Sequence, residues 1–163
     1  MTLSIRPARP GDAPTVFALV CALAEYERLT SEVDATQEMI ADALFAKEPR
    51  VFCDIAEWDG EAAGFALWFL NFSSFRGRHG IYLEDIFVRP EHRGNGIGKA
   101  LLLNLAQRCA ERGYTRLEWS VLDWNTPVID FYKSLGAEMM TEWSICRLTG
   151  GALSALGGRS GAK

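Results

Sequence analysis

Histidine is scarce in this 163-residue chain. The two present, His79 and His92, form no metal-ligand spacing with the four scattered cysteines, Cys21, Cys53, Cys109 and Cys146. With no C-x-x-C either, a metal site is not expected. The thiols read instead as buried, unpaired cysteines of a reducing cytoplasm. Long apolar runs are missing: none reaches the ~18 residues a membrane span needs. Residues 1–10 are too polar for a signal peptide. Positive charge is not in excess, with 17 Lys and Arg against 21 Asp and Glu and a formal net charge of −4. A nucleic-acid partner is therefore not expected. So mild an acidic balance admits a cationic substrate without requiring one. No Gly-Lys-Ser/Thr follows a glycine-rich stretch, which excludes a Walker phosphate loop.

What is present is an ordinary globular composition, 48% hydrophobic and 23% charged, in a chain long enough to bury one core. No internal repeat or linker divides it. A single domain is expected over 1–150, followed by a flexible or weakly helical tail at 151–163, rich in Gly, Ala and Ser.

Residues 3–6 alternate as a short strand. Asp12 is placed to cap a helix over 13–28, with Val16, Leu19, Val20, Leu23 and Ala24 on its buried face. Thr36 opens a second helix with an apolar stripe of Met39, Ile40, Ala43 and Leu44, ended by Pro49. Strands at 50–58 and 61–72 flank Asp59-Gly60, a tight-turn dipeptide, and so predict an antiparallel hairpin. After a polar connection at 73–80 comes a strand at 81–88, which Pro90 ends. A helix at 97–112 stops at Gly113. A strand at 116–122, a helix from Pro127 to about Leu135 stopped by Gly136, and a last strand at 142–148 complete the order. This order indicates an α/β fold: a mixed, mostly antiparallel central sheet with helices on both faces. The unit from 81 to 122 is expected to be a right-handed strand–helix–strand crossover.

Between strand and helix lies Arg93-Gly94-Asn95-Gly96-Ile97-Gly98. Glycines let backbone approach a ligand closely, and a helix N-terminus offers unpaired N–H groups, so the turn suits a phosphate or pyrophosphate. By itself it is equally a plain tight turn. It fits a Rossmann fingerprint badly, because it follows a hairpin and not an opening βαβ unit.

Together with the apolar strand Ile86-Phe87-Val88 before it, Lys99 and the Leu-rich helix after it, and the later Trp124-Asn125-Thr126-Pro127 and Phe131-Tyr132-Lys133-Ser134-Leu135-Gly136-Ala137, the chain resembles the GNAT (Gcn5-related) N-acetyltransferases. The expected order of elements matches that family's fold. Tyr82-Leu83-Glu84-Asp85-Ile86-Phe87-Val88, Trp124-Asn125 with Phe131-Tyr132, Ala22-Leu23-Ala24-Glu25-Tyr26-Glu27 and Glu142-Trp143 are similar to the diamine (spermidine/spermine-like) acetyltransferase branch. The likeness runs to about Leu148. Two departures are Arg28 after Glu27 and Ser144-Ile145-Cys146 after Trp143.

The resemblance implies a fold, a donor and a set of roles. Backbone groups of Ile86, Phe87 and Val88 would pair with the pantetheine arm of acetyl-coenzyme A. Amides of Arg93, Gly94, Asn95, Gly96, Ile97, Gly98 and Lys99 would hold its pyrophosphate, and the Asn125 side chain would touch it too. A main-chain N–H near Phe87 or Val88 would stabilise the oxyanion. Tyr132 would be the general acid for the leaving sulfur, although alone it reads as a packed helical aromatic. Glu84 would be the base through a water, with neighbouring Asp85 on the opposite face of the strand by simple alternation. Tyr26, Glu27, Glu84, Asp85, Glu118, Trp119 and Ser120 would meet the substrate, though Trp119 alone reads as core.

The expected function is acetyl transfer from acetyl-coenzyme A to a primary amine of a small cationic molecule, a polyamine or a lysine-like compound. The enzyme would act as a cytoplasmic homodimer. A GNAT acting on a protein N-terminus or an aminoglycoside-type amine, a non-catalytic acyl-coenzyme A sensor, and a nucleotide-binding module are the rival readings.

Overall fold

The computed structural model describes residues 1–158. They fall into two compact units, Met1–Leu122 and the residues from Asp123 onward. The first contains β1 (Leu3–Pro7), α1 (Ala13–Tyr26), α2 (Gln37–Leu44), β2 (Phe52–Trp58), β3 (Glu61–Ser73), β4 (Arg78–Val88), α3 (Ile97–Arg112) and β5 (Leu117–Trp119). The second contains α4 (Thr126–Ser134) and α5 (Gly150–Leu156).

The five strands form one sheet in the order β1-β2-β3-β4-β5. The first three pairings are antiparallel and β4–β5 is parallel. Parallel neighbours need a crossover, and α3 supplies it. The β2–β3 hairpin closes through Asp59 (φ 50°) and Gly60 (φ 86°), the doubly left-handed turn whose twist matches the strands. Asp59 also accepts a 2.7 Å hydrogen bond from the Thr2 N–H.

Alternation along each strand divides the core. Cys53, Ile55, Phe65, Leu67 and Phe87 pack with Val16, Leu19 and Leu23 of α1 and Leu44 of α2. On the opposite face, Arg108 of α3 reaches the buried Asp54 of β2, with Nη1 2.7 Å from Oδ2 and Nη2 3.3 Å from Oδ1. Trp68 Nε1 donates to the same carboxylate at 3.0 Å, and the Arg108 guanidinium lies 4.8 Å from the Trp68 ring centroid. Asp54 is only 2% exposed, so these donors replace the water it gave up.

Several expectations are revised. Asp12 does not cap α1; its carboxylate binds the Arg6 guanidinium at 2.7 Å and accepts from the Arg9 N–H. The Arg6 donor, more than the Arg9 N–H, holds that carboxyl below its ordinary value. Thr36 does cap α2, accepting from the Met39 N–H, but that helix is only eight residues long. Met39 and Ala43 face solvent, leaving Leu44 buried. The connection expected at 73–80 is half strand, with a turn only at 74–77, since β3 and β4 pair out to Ser73–Arg78. The strand at 116–122 shrinks to three residues, because its pairing with β4 ends at Leu83–Trp119. No strand forms at 142–148: Trp143 and Ile145 are 75% and 76% exposed, and alternation without a ladder partner does not make a strand. Cys146 is exposed and not buried. In the expected tail, Gly150–Leu156 is helical, and 159–163 lie outside the described residues.

Removing Arg108 would strand a buried carboxylate. Arg108→Met is expected to lose about 3–5 kcal/mol of unfolding free energy by urea titration. Adding Asp54→Asn should recover part of it, because the neutral amide oxygen still accepts from Trp68.

Candidate active site

The register of β4 changes once. Leu67 pairs with Asp85, but Trp68 pairs with Leu83, so Glu84 is an extra residue on β4. Such a bulge reverses which residues face which side. Before it, Leu83 opposes Trp68 and faces α3. After it, Asp85 and Phe87 oppose Leu67 and Phe65 and face α1. Glu84 and Asp85 therefore share the α1 side, contrary to the opposite faces that simple alternation predicts.

Their environments differ. Glu84 is exposed and Asp85 is partly covered. Burial first, then the negative charges of Glu84 and Glu27, push the Asp85 carboxyl up to about 7. Glu27, the residue after α1, is also raised by burial. Tyr26 stands beside it, its ring centroid 6.3 Å from that of Phe87. The bulge thus brings Glu84, Asp85, Glu27 and Tyr26 to one end of the α1 face.

The same strand offers a backbone edge. Arg89 N–H donates to the Ala63 carbonyl at 2.8 Å. Pairing groups recur every second residue, so Phe87 also turns its N–H and C=O to β3, while Ile86 and Val88 turn theirs away. A Cβ at Gly64 would meet the Phe87 carbonyl oxygen at 2.5 Å, which confirms where that carbonyl points. The Phe87 ring thus belongs to the α1-side core and its amide to the ladder. Beyond Leu83, β5 no longer covers the Ile86–Val88 edge.

Past the strand, Gly94 (φ 80°) and Gly96 (φ 76°) hold left-handed conformations. Gly96 is the N-cap of α3 and has no side chain to cap it. The first helical bond is Ala100 N–H to the Gly96 carbonyl, so the N–H groups of Ile97, Gly98 and Lys99 head the helix without a side-chain acceptor. Asn95 turns its side chain inward to the His92 carbonyl. The turn and the open strand edge have the donors an extended pyrophosphate–amide chain requires.

The Arg93 side chain, which sequence reasoning did not single out, leaves the turn for the α1 face. Its Nε donates to the Val88 carbonyl at 3.0 Å. Its guanidinium lies 4.9 Å from the Tyr26 centroid and 5.4 Å from that of Phe87.

The β5 residues are separated. Glu118 opposes Tyr82, but its carboxylate is engaged by Arg116 at 3.0 Å and by Asn71 at 2.9 Å. Ser120 pairs its hydroxyl with that of Tyr82 at 2.8 Å. Trp119 opposes Leu83 and so lies on the α3 side, away from the acids. In the second unit, Asn125 is the N-cap of α4, and Tyr132 lies on that helix with its ring 5.7 Å from Phe131. Both are buried.

Residues 15–137 match the Acetyltransferase (GNAT) family, and the chain belongs to that family. It is 37% identical to the thialysine N-epsilon-acetyltransferase of Bos taurus, over 95% of this chain and 97% of that one. It is 34% identical to the L-ornithine N5-acetyltransferase NATA1 of Arabidopsis thaliana, over 93% of this chain and 86% of that one. Among solved structures, an integron cassette protein from the mobile metagenome of V. cholerae superposes with a TM-score of 0.81 at 25% identity, covering 96% of this chain and 98% of that one. The chain is an acetyl-CoA-dependent N-acetyltransferase.

The raised Asp85 carboxyl has a stability consequence. The unfolded chain ionises this group near its ordinary value of 3.8 and the folded chain near 7. Between those values the folded state holds a proton that the unfolded state has lost, so Asp85 weakens folding progressively as pH rises. Asp85→Asn should match wild type in Tm near pH 4. Across pH 4–7 the variant should gain, to about 2–4 kcal/mol. A gain independent of pH would contradict the assignment.

Proposed function

We propose that the protein acetylates the terminal primary amine of a small cationic acceptor, lysine-like or polyamine, by direct attack on acetyl-coenzyme A. The observation that carries this reading is the β4 bulge. It sets a group of carboxylates on the α1 face next to the point where β4 loses its β5 neighbour. Carboxylates at that position favour a cationic acceptor beside an extended donor. The names of the two relatives, one acting on thialysine and one on ornithine, support an acceptor with a side-chain amine.

In this reading the Ile86 and Val88 backbone takes the pantetheine arm, and the amides from Arg93 to Lys99 take the pyrophosphate, with Asn125 as a further contact. Glu84, reached through a water, takes the proton from the attacking nitrogen as the N–C bond forms. The Val88 N–H meets the developing oxyanion, a role that Phe87, with its amide in the ladder, does not fill. As the C–S bond breaks, Tyr132 gives its proton to the sulfur. Asp85, Glu27 and Tyr26 hold the acceptor, and Ser120 with Tyr82 edges the same face. One observation favours a second reading of the base: the Asp85 carboxyl near 7 is better matched to proton transfer at neutral pH than an ordinary carboxylate.

The catalytic domain is taken as 1–150. A homodimer is part of the same proposal, supported by the exposed Trp143 and Ile145, which a partner would cover. Cytoplasmic residence is supported by four unpaired thiols. Among the described residues no helix is long and apolar enough to cross a membrane.

Thiol release with lysine analogues, ornithine and polyamines tests the proposal. Tyr132→Phe should lower kcat about 10²–10⁴-fold with little change in acetyl-coenzyme A affinity. Glu84→Gln should lower kcat comparably, and Asp85→Asn should do so instead if Asp85 is the base. A protein that binds the donor but releases no thiol with any of these amines would be a sensor, and the proposal would fail.

A further inference from the structure

Arg93 carries a charge that the fold does not neutralise. Its backbone follows the short 3-10 turn Pro90–His92, donating its N–H to the Pro90 carbonyl at 3.2 Å, and opens the glycine turn. Its side chain goes elsewhere. Nε donates to the Val88 carbonyl at 3.0 Å, and the guanidinium rests 4.9 Å from the Tyr26 centroid and 5.4 Å from that of Phe87. One hydrogen bond and two rings hold the group in place. Among the described residues, Nη1 and Nη2 meet no acceptor. Arg6, Arg108 and Arg116 each meet a carboxylate at 3.0 Å or less. Arg93 forms no such pair among the described residues, although Glu27, Glu84 and Asp85 share its face. A carbonyl and two rings fix the guanidinium and leave its charge intact.

Val88 sets where that charge stands. An extended residue turns its N–H and C=O to the same side of its strand. Both groups of Val88 therefore face the open β4 edge, and Arg93 takes the carbonyl. The N–H beside it is the group proposed above to meet the oxyanion. A guanidinium anchored through Nε at one of these groups brings its Nη hydrogens to a small anion held at the other. The side chain also points out of the glycine turn, so the pyrophosphate is left to the backbone amides.

Resting on the reaction proposed above, we infer that Arg93 is a catalytic residue whose guanidinium joins the Val88 N–H in stabilising the oxyanion. As the amine lone pair forms the N–C bond, the electron pair of the thioester C=O moves onto oxygen. That oxygen accepts from the Val88 N–H and from Arg93 Nη. The pair returns as the C–S bond breaks, and the sulfur takes its proton from the acid already assigned. Arg93 itself transfers no proton, because a guanidinium stays charged throughout the working pH range. Tyr26 and Phe87 hold it before the reaction begins, so little reorganisation accompanies the developing charge.

The test uses the full chain as wild type, Arg93→Met, Arg93→Lys and Arg93→Ala, with acetyl-coenzyme A and the fastest acceptor among lysine analogues, ornithine and polyamines. Arg93→Met should lower kcat about 10²–10³-fold. The acceptor KM and the calorimetric Kd for coenzyme A should stay close to wild type, and Tm should fall by no more than about 4 °C. Arg93→Lys should keep part of the rate, since it keeps the charge and loses the fork. In Arg93→Ala, guanidinium at a sub-denaturing concentration should restore part of kcat, and urea, of similar shape without the charge, should not. A coenzyme A Kd that weakens in step with the rate would make Arg93 a phosphate ligand. A loss carried by the acceptor KM alone would make it a wall of the acceptor site. An unchanged kcat, no rescue, or equal rescue by urea would leave it a structural residue. Each of these outcomes overturns the inference and leaves acetyl transfer to cationic amines standing. A wild type that releases no thiol with any of the amines would overturn the proposed function itself, and this inference with it.

Discussion

One extra residue in β4 governs the arrangement of the first unit. The bulge at Glu84 separates a stretch whose odd-numbered side chains face α3 from one whose odd-numbered side chains face α1. Without it, Asp85 and Phe87 would point at α3, and the α1-side core would lose an aromatic ring. With it, two consecutive carboxylates lie on one face. A bulge also bends and twists its strand, and here the pairing with β5 ends at the residue before it. The open β4 edge and the acid group therefore have a single geometric origin.

The sheet handles buried charge in two ways. On the α3 side, Asp54 receives two nitrogens of Arg108 and the indole N–H of Trp68, and its burial fixes α3 on the sheet. On the α1 side, Asp85 is covered without a cation of that kind and lies near Glu27 and Glu84, so its carboxyl holds its proton to about 7. The first arrangement serves the fold. The second costs stability whenever Asp85 ionises, a cost that supports the role proposed for it in the reaction.

Strain follows the same division. The glycine turn adopts left-handed backbone where glycine makes it inexpensive, leaving the head of α3 uncapped by any side chain. At the exit of α1 an arginine occupies the position glycine would fill at lower cost. Both departures lie around the β4 strand end, whereas the α3–sheet contact shows none.

Much of this was legible in the sequence. Periodicity and breakers located α1, α3 and the β2–β3 hairpin, because each is set by local spacing and turn chemistry: Asp59-Gly60, Gly113, and Ile97, Leu101 and Leu105 at helical intervals. The two separated motifs pointed to the acetyltransferase family, since glycines before a helix and an Asn-x-Pro helix start are local patterns. Tertiary structure alone decided the rest. Alternation cannot announce a bulge, because only the pairing with β3 makes Glu84 supernumerary and turns Asp85 to the face of α1. The segment at 142–148, expected as the last strand, is none, since a strand exists only with a ladder partner. Asp12 has the right type and place for a cap, but the Arg6 guanidinium, brought near by β1, binds it more strongly. The sequence determined the main helices, the turns and the β2–β3 hairpin; long-range pairing determined how far the strands run and which side chains share a face, and so where the proposed site lies.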